Sequence, residues 1–169
     1  MHLVFDSPRR REVPRVTSTL VYAAGNPLRA DDGIGPAVIA ELCHRILDPN
    51  VELVDGGTSG LEAALVFRNR VRIVIVDAAD LGSAPGTVRK FMLCPSELES
   101  RPVHPNSLHA AGLFDALALA AALGTLPRQI TFFGVQPQSL GYETGLGSEV
   151  HAAIPGLVEL VLDAISAPE

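Results

Sequence analysis

The sequence predicts an α/β fold: a three-layer sandwich in which a mostly parallel five-stranded sheet carries helices on both faces. Short apolar runs typical of strands alternate with helical patterns along the chain, and this rhythm is typical of parallel sheets. The strongest strand signal is VRIVIV at residues 71–76, which is β-branched at five of its six positions. The clearest helical signal begins at Ile154, where apolar residues recur at i+3, i+4, i+7, i+8 and i+11.

Five segments have the composition of strands and stop at turn residues. They are residues 19–24, 51–54, 71–76, 87–93 and 129–135. The fourth follows a turn region at 82–86, which is too short for the crossover that joins parallel strands. We therefore expect the fourth strand to be antiparallel and to lie at an edge of the sheet.

Helical periodicity falls between these strands. The segments are residues 33–47, 61–67, 108–123 and the one that begins near Ile154. In the first, apolar residues repeat every four positions from Ile34 to Ile46, and Cys43 among them is expected to be a buried thiol. Ser107 is placed to cap the third helix, and Pro155 fits the first turn of the last helix.

The chain length of 169 residues suits one compact domain with a substantial core. Arginines 9–11 precede an apolar stretch, but that stretch, 20–24, is shorter than the roughly 7–15 residues of a secretory signal. We expect residues 1–15 to be a flexible N-terminal lead-in and residues 16–166 to be a single domain.

The charge, hydropathy and cysteine content argue against several classes of protein. Thirteen basic and 19 acidic residues give a net charge of −6, which argues against a nucleic-acid binder. The chain contains no run of about 18 apolar residues, so a membrane-spanning helix is not expected. Cys43 and Cys94 form neither a disulfide framework nor a CxxC pair, and this pattern favours a reducing, cytoplasmic location.

Ligands of open α/β sheets bind beyond the carboxyl ends of the strands, so the loops after the strands should share one rim. The polar residues of these loops are Asn26, Asp31, Asp32, Asp55, Thr58, Ser59, Asp77, Asp80 and Gln136. Asp77 ends the strongest strand, where burial penalises a carboxylate that nothing satisfies. Its alternative interpretation is structural, as a helix cap or a carboxylate held by loop amides.

Asp31 and Asp32 stand just before the first helix, where one of them is an ordinary cap. Two adjacent carboxylates are more than a cap needs, so we expect one to cap and the other to face the rim. The alternative is that both are structural. His109 follows Ser107 in the first turn of its helix, where the dipole disfavours the imidazolium and favours a neutral ring.

Asp32, Asp77 and His109 together offer two carboxylates and an imidazole on one rim. This set is suitable for a borderline divalent ion with open positions for substrate or water, although a merely solvated histidine is the alternative. Other sites are less well supported: the chain has neither a P-loop nor a G-x-S-x-G motif. A triad of Ser59, His109 and an aspartate can be drawn without such a motif.

Five motifs in order resemble the hydrogenase maturation peptidases, which finish the large subunit of [NiFe] hydrogenases. They are GNPLRADDGIGPAVIAEL from residue 25, DGGTSG from 55, VIVDAAD from 74, SLHAAGLFDAL from 107 and GVQPQSLGYETGLGSEV from 134. The resemblance covers residues 17–165 and implies a twisted five-stranded sheet between helices. The chain departs from the family pattern at Ala23, where glycine is frequent, and at Ala110, where a polar residue is frequent.

The resemblance implies that Asp32, Asp77 and His109 contact the metal and take part in catalysis, with Asp55 as a further catalytic candidate. It implies an endopeptidase that removes the C-terminal extension of a large-subunit precursor after nickel insertion. The nickel is expected to be carried by the substrate rather than held by the free protein. We expect a cytoplasmic monomer whose partner is that precursor, with no nucleic acid and no membrane.

Two other classes of function stay open from the sequence. One is a chaperone that checks nickel in the large subunit without cutting it, and the other is a hydrolase with its own resident metal. Within the peptidase interpretation, the metal can polarise the scissile carbonyl or activate water, or an aspartate can serve as general base while the metal only positions the substrate.

Overall fold

The computed structural model describes residues 19–58, 60–99 and 110–167 of the chain. The lead-in expected for residues 1–15 and the domain boundary after it lie outside the described residues. Ser59, Ser107 and His109 also lie outside them, so the cap, the triad and the imidazole that involve these residues stay predictions from the sequence.

The five predicted strands form one mixed sheet. The strands are β1 (Thr19–Ala23), β2 (Val51–Asp55), β3 (Arg72–Ala78), β4 (Val88–Leu93) and β5 (Gln129–Val135). Their order across the sheet is β2-β1-β3-β5-β4, and every neighbouring pair is parallel except β4 with β5. The structure therefore confirms the mostly parallel sheet and the antiparallel strand at its edge.

Helices cover both faces of the sheet. They are α1 (Ile34–Leu42), α2 (Ala63–Val66), α3 (Pro95–Glu99), α4 (Ala110–Ala122) and α5 (Ser148–Ser166), with a 3₁₀ turn at Ala30–Gly33. Strand residues alternate between two cores, as side chains on a pleated strand must. Val21 and Ala23 of β1 pack in the α1 and α5 layer, whereas Leu20 and Tyr22 pack in the α2 and α4 layer. This arrangement is the predicted three-layer sandwich.

Three local predictions were wrong: the end of α1, the burial of Cys43 and the position of Pro155 within α5. Helix α1 ends at Leu42 rather than near residue 47, so Cys43 falls just past its end and is exposed. Helix α5 begins at Ser148, which places Pro155 in its interior instead of its first turn. Proline removes the hydrogen bond to the carbonyl of His151, and both residues lie on the exposed face where water can replace it.

The order of the strands determines where the site lies. After β1 the chain moves to one side of that strand to form β2, and it then crosses to the other side to form β3. The carboxyl ends of β1 and β3 therefore flank the point where the strand order reverses, which is where open α/β sheets bind ligands. Within the part of the chain that the structure describes, no helix has both the length and the hydropathy needed to cross a bilayer.

Candidate functional site

A small pocket lies at this reversal point and brings together loops that are distant in sequence. Its volume is about 20 Å³, which is room for about one water molecule or a single ion. The lining residues are Ala24, Gly25, Asp32, Gly57, Thr58, Asp77 and Leu113. Asp32 and Asp77 are thus placed together, as the sequence predicts. Leu113 was not predicted, because nothing in an alanine-rich helix indicates which of its apolar residues faces a pocket.

Asp77 lies at the carboxyl end of β3, opposite Gly134 of β5, and only 8% of its surface is exposed. Burial raises the pKa of Asp77 to about 7, and the negative charge of Asp32 adds to the rise. The backbone amide of Ala78 lowers the pKa but offsets only part of this effect. The pocket therefore holds a carboxyl group that is poorly solvated and that faces a second carboxylate.

Asp32 reaches the pocket from the 3₁₀ turn at Ala30–Gly33 and is 6% exposed. Its Oδ2 accepts a hydrogen bond of 3.0 Å from the backbone amide of Asn26, which closes the loop after β1. Among the described residues, the two ion pairs join other side chains, Arg45 with Glu159 and Arg70 with Glu52. Neither pair involves the carboxylates of the pocket, so neither neutralises their charge.

Gly25 is required where the loop after β1 passes the 3₁₀ turn. Its φ of +126° is a conformation that other residues rarely adopt, and an added Cβ would lie 1.9 Å from the carbonyl oxygen of Asp32. The amide of Gly25 also donates to the carbonyl of Gly57 at 2.8 Å. These contacts hold the loops after β1 and β2 against the turn that carries Asp32.

Asp31 has a different role from its neighbour. It is 1% exposed, and its two carboxylate oxygens accept hydrogen bonds from three backbone amides: Gln138 at 2.8 Å, Ser139 at 3.0 Å and Gly147 at 2.7 Å. Gly147 directly precedes α5, so Asp31 ties the 3₁₀ turn to the start of that helix. The expectation that one aspartate caps the following helix was wrong, because the N-cap residue of α1 is Gly33 and that helix has no side-chain cap hydrogen bond. Asp31 instead accepts from backbone amides of the 138–147 region, whereas Asp32 lines the pocket.

The remaining rim residues support loops. Asp55 is exposed at the end of β2, where its Oδ1 accepts from the amide of Gly57 at 3.0 Å and so orders the loop that lines the pocket. Gln136 is buried, and its Oε1 accepts from the amides of Leu81 at 2.6 Å and Ser83 at 3.2 Å. The Nε2 of Gln136 donates to Asp80 at 3.4 Å.

Asp32 and Asp77 are two of the three ligands that the sequence suggests. Within the described residues, no group of three histidine, cysteine or acidic side chains is arranged to hold a metal ion. His109 directly precedes α4, and Leu113 in the first turns of that helix lines the pocket. Helix α4 therefore contributes Leu113 to the pocket that holds the two aspartates.

A larger cavity of about 330 Å³ lies between α1 and α5, away from this pocket. Its rim carries Arg45 and Glu159, which form an ion pair of 2.6 Å with each other. Exposed ion pairs of this kind neutralise their own charge and contribute little to stability. The carboxylate pocket is accordingly the candidate functional site.

Comparison with known proteins agrees with the fold. A family model described as hydrogenase maturation protease matches residues 36–164, a span that contains Asp55 and Asp77 and begins four residues after Asp32. The chain belongs to the hydrogenase maturation protease family, and it is therefore a hydrolase of peptide bonds.

Individual relatives give the same assignment. The chain is 36% identical over 148 residues to the hydrogenase 2 maturation protease of Escherichia coli K12, covering 86% of this chain and 89% of that protein. It is 34% identical over 151 residues to the hydrogenase expression/formation protein HupD of Thiocapsa roseopersicina, covering 87% of this chain and 67% of that protein.

Solved structures share the whole architecture. The hydrogenase maturating endopeptidase HybD from E. coli superposes with a TM-score of 0.75 at 34% identity, covering 87% of this chain and 91% of that one. The [NiFe] hydrogenase maturation protease HybD from Thermococcus kodakarensis superposes with a TM-score of 0.68 at 29% identity, covering 86% and 97%. The predicted α/β sandwich is thus the fold of this protease family.

Proposed function

We propose that this protein removes the C-terminal extension of a [NiFe] hydrogenase large-subunit precursor after nickel has been inserted. The observation that carries the proposal is the pairing of Asp32 and Asp77 in one small, buried pocket at the carboxyl end of the sheet. Membership of the hydrogenase maturation protease family supports the class of substrate. The precursor is accordingly the proposed partner.

The side chains of the pocket are suited to binding a divalent cation. Two buried carboxylates without a neutralising basic residue among the described side chains repel one another, and a divalent ion entering between them would relieve that repulsion. Carboxylate and imidazole ligands bind nickel without the softness of thiolates. Asp32, Asp77 and His109 would therefore contact the nickel of the precursor without extracting it from a thiolate site.

The chain's own residues would then act on the scissile peptide bond. A bound nickel ion supplies polarisation of the peptide carbonyl or activation of a water molecule. In the alternative in which the nickel only positions the substrate, an aspartate of the pocket would serve as general base and accept a proton from the attacking water. Asp55 orders the neighbouring loop, and it acts in our proposal by holding Gly57 at the pocket.

The nickel in this scheme belongs to the substrate, so the purified protein should carry no stoichiometric metal. We propose that the protein works as a cytoplasmic monomer, without a membrane or nucleic-acid partner. The acidic balance of 13 basic against 19 acidic residues supports the last point.

The test is intact mass spectrometry of the cognate precursor, nickel-loaded and nickel-free, after incubation with this protein. Loss of a C-terminal peptide from the loaded form alone is the expected result. Cleavage of both forms would refute nickel as the recognition mark. A tight complex with no mass change would favour the chaperone, and stoichiometric metal in the fresh preparation would favour a resident-metal hydrolase.

A further inference from the structure

An exposed apolar surface lies next to the carboxylate pocket. It consists of Leu28, Arg29, Leu140 and Tyr142, which we call the Tyr142 platform. Tyr142 is 90% exposed and Leu28 is 64% exposed, so neither side chain contributes to the protein's own core. Tyrosine and arginine are enriched at protein interfaces, and exposed apolar patches mark interaction surfaces.

The platform is held rigidly although its side chains are exposed. The amide of Ala30 donates to the carbonyl of Glu143 at 2.6 Å, and the amide of Asp31 donates to the carbonyl of Ser139 at 3.1 Å. The carboxylate of Asp31 accepts from Ser139 and two further amides of the same loop region. The two loops that carry the platform are therefore fixed to each other before any partner arrives.

Arg29 gives the platform a positive charge. Its guanidinium lies over the ring of Tyr142, 5.3 Å from the centroid, and its Nη2 donates to the carbonyl of Leu140 at 3.0 Å. Among the described residues, no carboxylate lies within ion-pair distance of it, and its buried Nε has no hydrogen-bond partner. The guanidinium of Arg29 is therefore a local positive charge in a chain of net charge −6, and it is suited to pair with a carboxylate of another molecule.

The platform is continuous with the site through the backbone. The carbonyl of Arg29 accepts the amide of Asp32 at 3.0 Å, so the residue that carries the charge and the residue that lines the pocket belong to one turn. The pocket has a volume of only about 20 Å³. A protein substrate that brings a peptide bond to this pocket must therefore also contact the surface around it. The platform is part of that surface.

We propose that the Tyr142 platform is the surface on which the hydrogenase large-subunit precursor docks. This inference rests on the proposed function. The precursor would place apolar side chains against Leu28 and Tyr142 and a carboxylate beside Arg29. A rigid surface of tyrosine and arginine lowers the entropy cost of binding, and such residues often contribute most to the affinity of an interface.

The test compares platform variants with a matched control in two measurements. The variants are Leu28→Ser combined with Tyr142→Ala, and Arg29→Gln alone. The control is Leu47→Ser. Leu47 is 90% exposed and lies between the end of α1 and the start of β2, before the amino end of that strand, whereas the pocket lies at the carboxyl ends of the strands. We measure KM and kcat for nickel-loaded precursor, the Kd for nickel-free precursor, and the melting temperature of each variant.

The expected result is an increase of about tenfold in KM and Kd for both platform variants, with kcat at saturation and the melting temperature close to those of the wild type. The Leu47 control should match the wild type. Unchanged KM and Kd, or a fall in kcat alone, would overturn the inference. If the wild type binds the precursor without cutting it and the platform variants weaken binding, the proposed function fails while the docking surface stands. If the wild type neither binds nor cuts, both fail.

Discussion

Burial raises the pKa of Asp77, and the carboxylate of Asp32, which lines the same pocket, raises it further. They come from different elements, a 3₁₀ turn and the end of β3, and they are brought together because β1 and β3 are neighbours in the sheet. Both are buried, so the repulsion between them is screened less than on the surface. The fold thus maintains a pair of like charges that a cation would stabilise.

Replacing Asp77 with asparagine should change the pH dependence of stability. The pKa of Asp77 is raised from its ordinary value of 3.8 to about 7 in the folded protein, so the folded state binds the proton more tightly than the unfolded state. The contribution of Asp77 to the free energy of unfolding therefore falls as the pH rises from about 4 to about 7. Relative to Asp77→Asn, we expect the wild type to lose about 2–3 kcal/mol of unfolding free energy between pH 5 and pH 8.

The measurement is urea unfolding of both proteins at pH 5, 6, 7 and 8. All other titrating groups are shared, so the difference between the two curves isolates the carboxyl group of Asp77. Parallel curves would show that the folded protein does not perturb this group.

The two adjacent aspartates should respond differently to the same substitution. Both carboxylate oxygens of Asp31 accept hydrogen bonds from backbone amides, so in Asp31→Asn the side-chain NH₂ group must face a backbone N–H. We expect this substitution to lower the free energy of unfolding by about 2 kcal/mol. In Asp32→Asn the amide oxygen can still accept from Asn26, and the repulsion with Asp77 is removed. Its stability should lie within about 0.5 kcal/mol of the wild type or above it. Thermal and urea unfolding of both variants provide the measurement, and equal losses would contradict the division of roles.

Gly25→Ala should destabilise the protein by about 3 kcal/mol or more, because the added methyl group meets the carbonyl of Asp32 and the φ of +126° is strained for alanine. Gly156→Ala is the matched control. Gly156 lies within α5 and has nothing within 4 Å of its Cβ position, so alanine there should stabilise by up to about 1 kcal/mol. Urea unfolding compares them, and a tolerated Gly25→Ala would refute the close packing of the loop against the 3₁₀ turn.

The fold could be predicted largely from local patterns. The β-branched run at β3 and the spacing of α5 are unambiguous, and the short connection before β4 leaves no room for a parallel crossover. Helix ends were less predictable. Apolar residues keep a helical spacing as far as Ile46, although the helix stops at Leu42. Ile46 packs against the core from beyond the end of the helix, so its position in the sequence looks the same as that of a helical residue.

The site was predictable in part, because strand ends of a parallel sheet meet at one edge. That rule selects Asp77 and Asp32 but cannot show which of two adjacent aspartates faces the pocket. Asp31 does not face the pocket, because its carboxylate accepts hydrogen bonds from three backbone amides within residues 138–147. These contacts join residues more than 100 positions apart in the sequence. The arginine–tyrosine pair of the platform was also not predicted, because Arg29 and Tyr142 are equally distant in sequence.

In the proposed function, Asp32 and Asp77 act together on the nickel-loaded precursor. The most direct measurement is the rate of C-terminal peptide release from nickel-loaded precursor by Asp77→Asn and Asp32→Asn, with Asp163→Asn on the exposed face of α5 as the control. We predict folded proteins in all three cases, a loss of at least about 100-fold for the two pocket variants, and a wild-type rate for the control. Wild-type processing by either pocket variant would contradict the account.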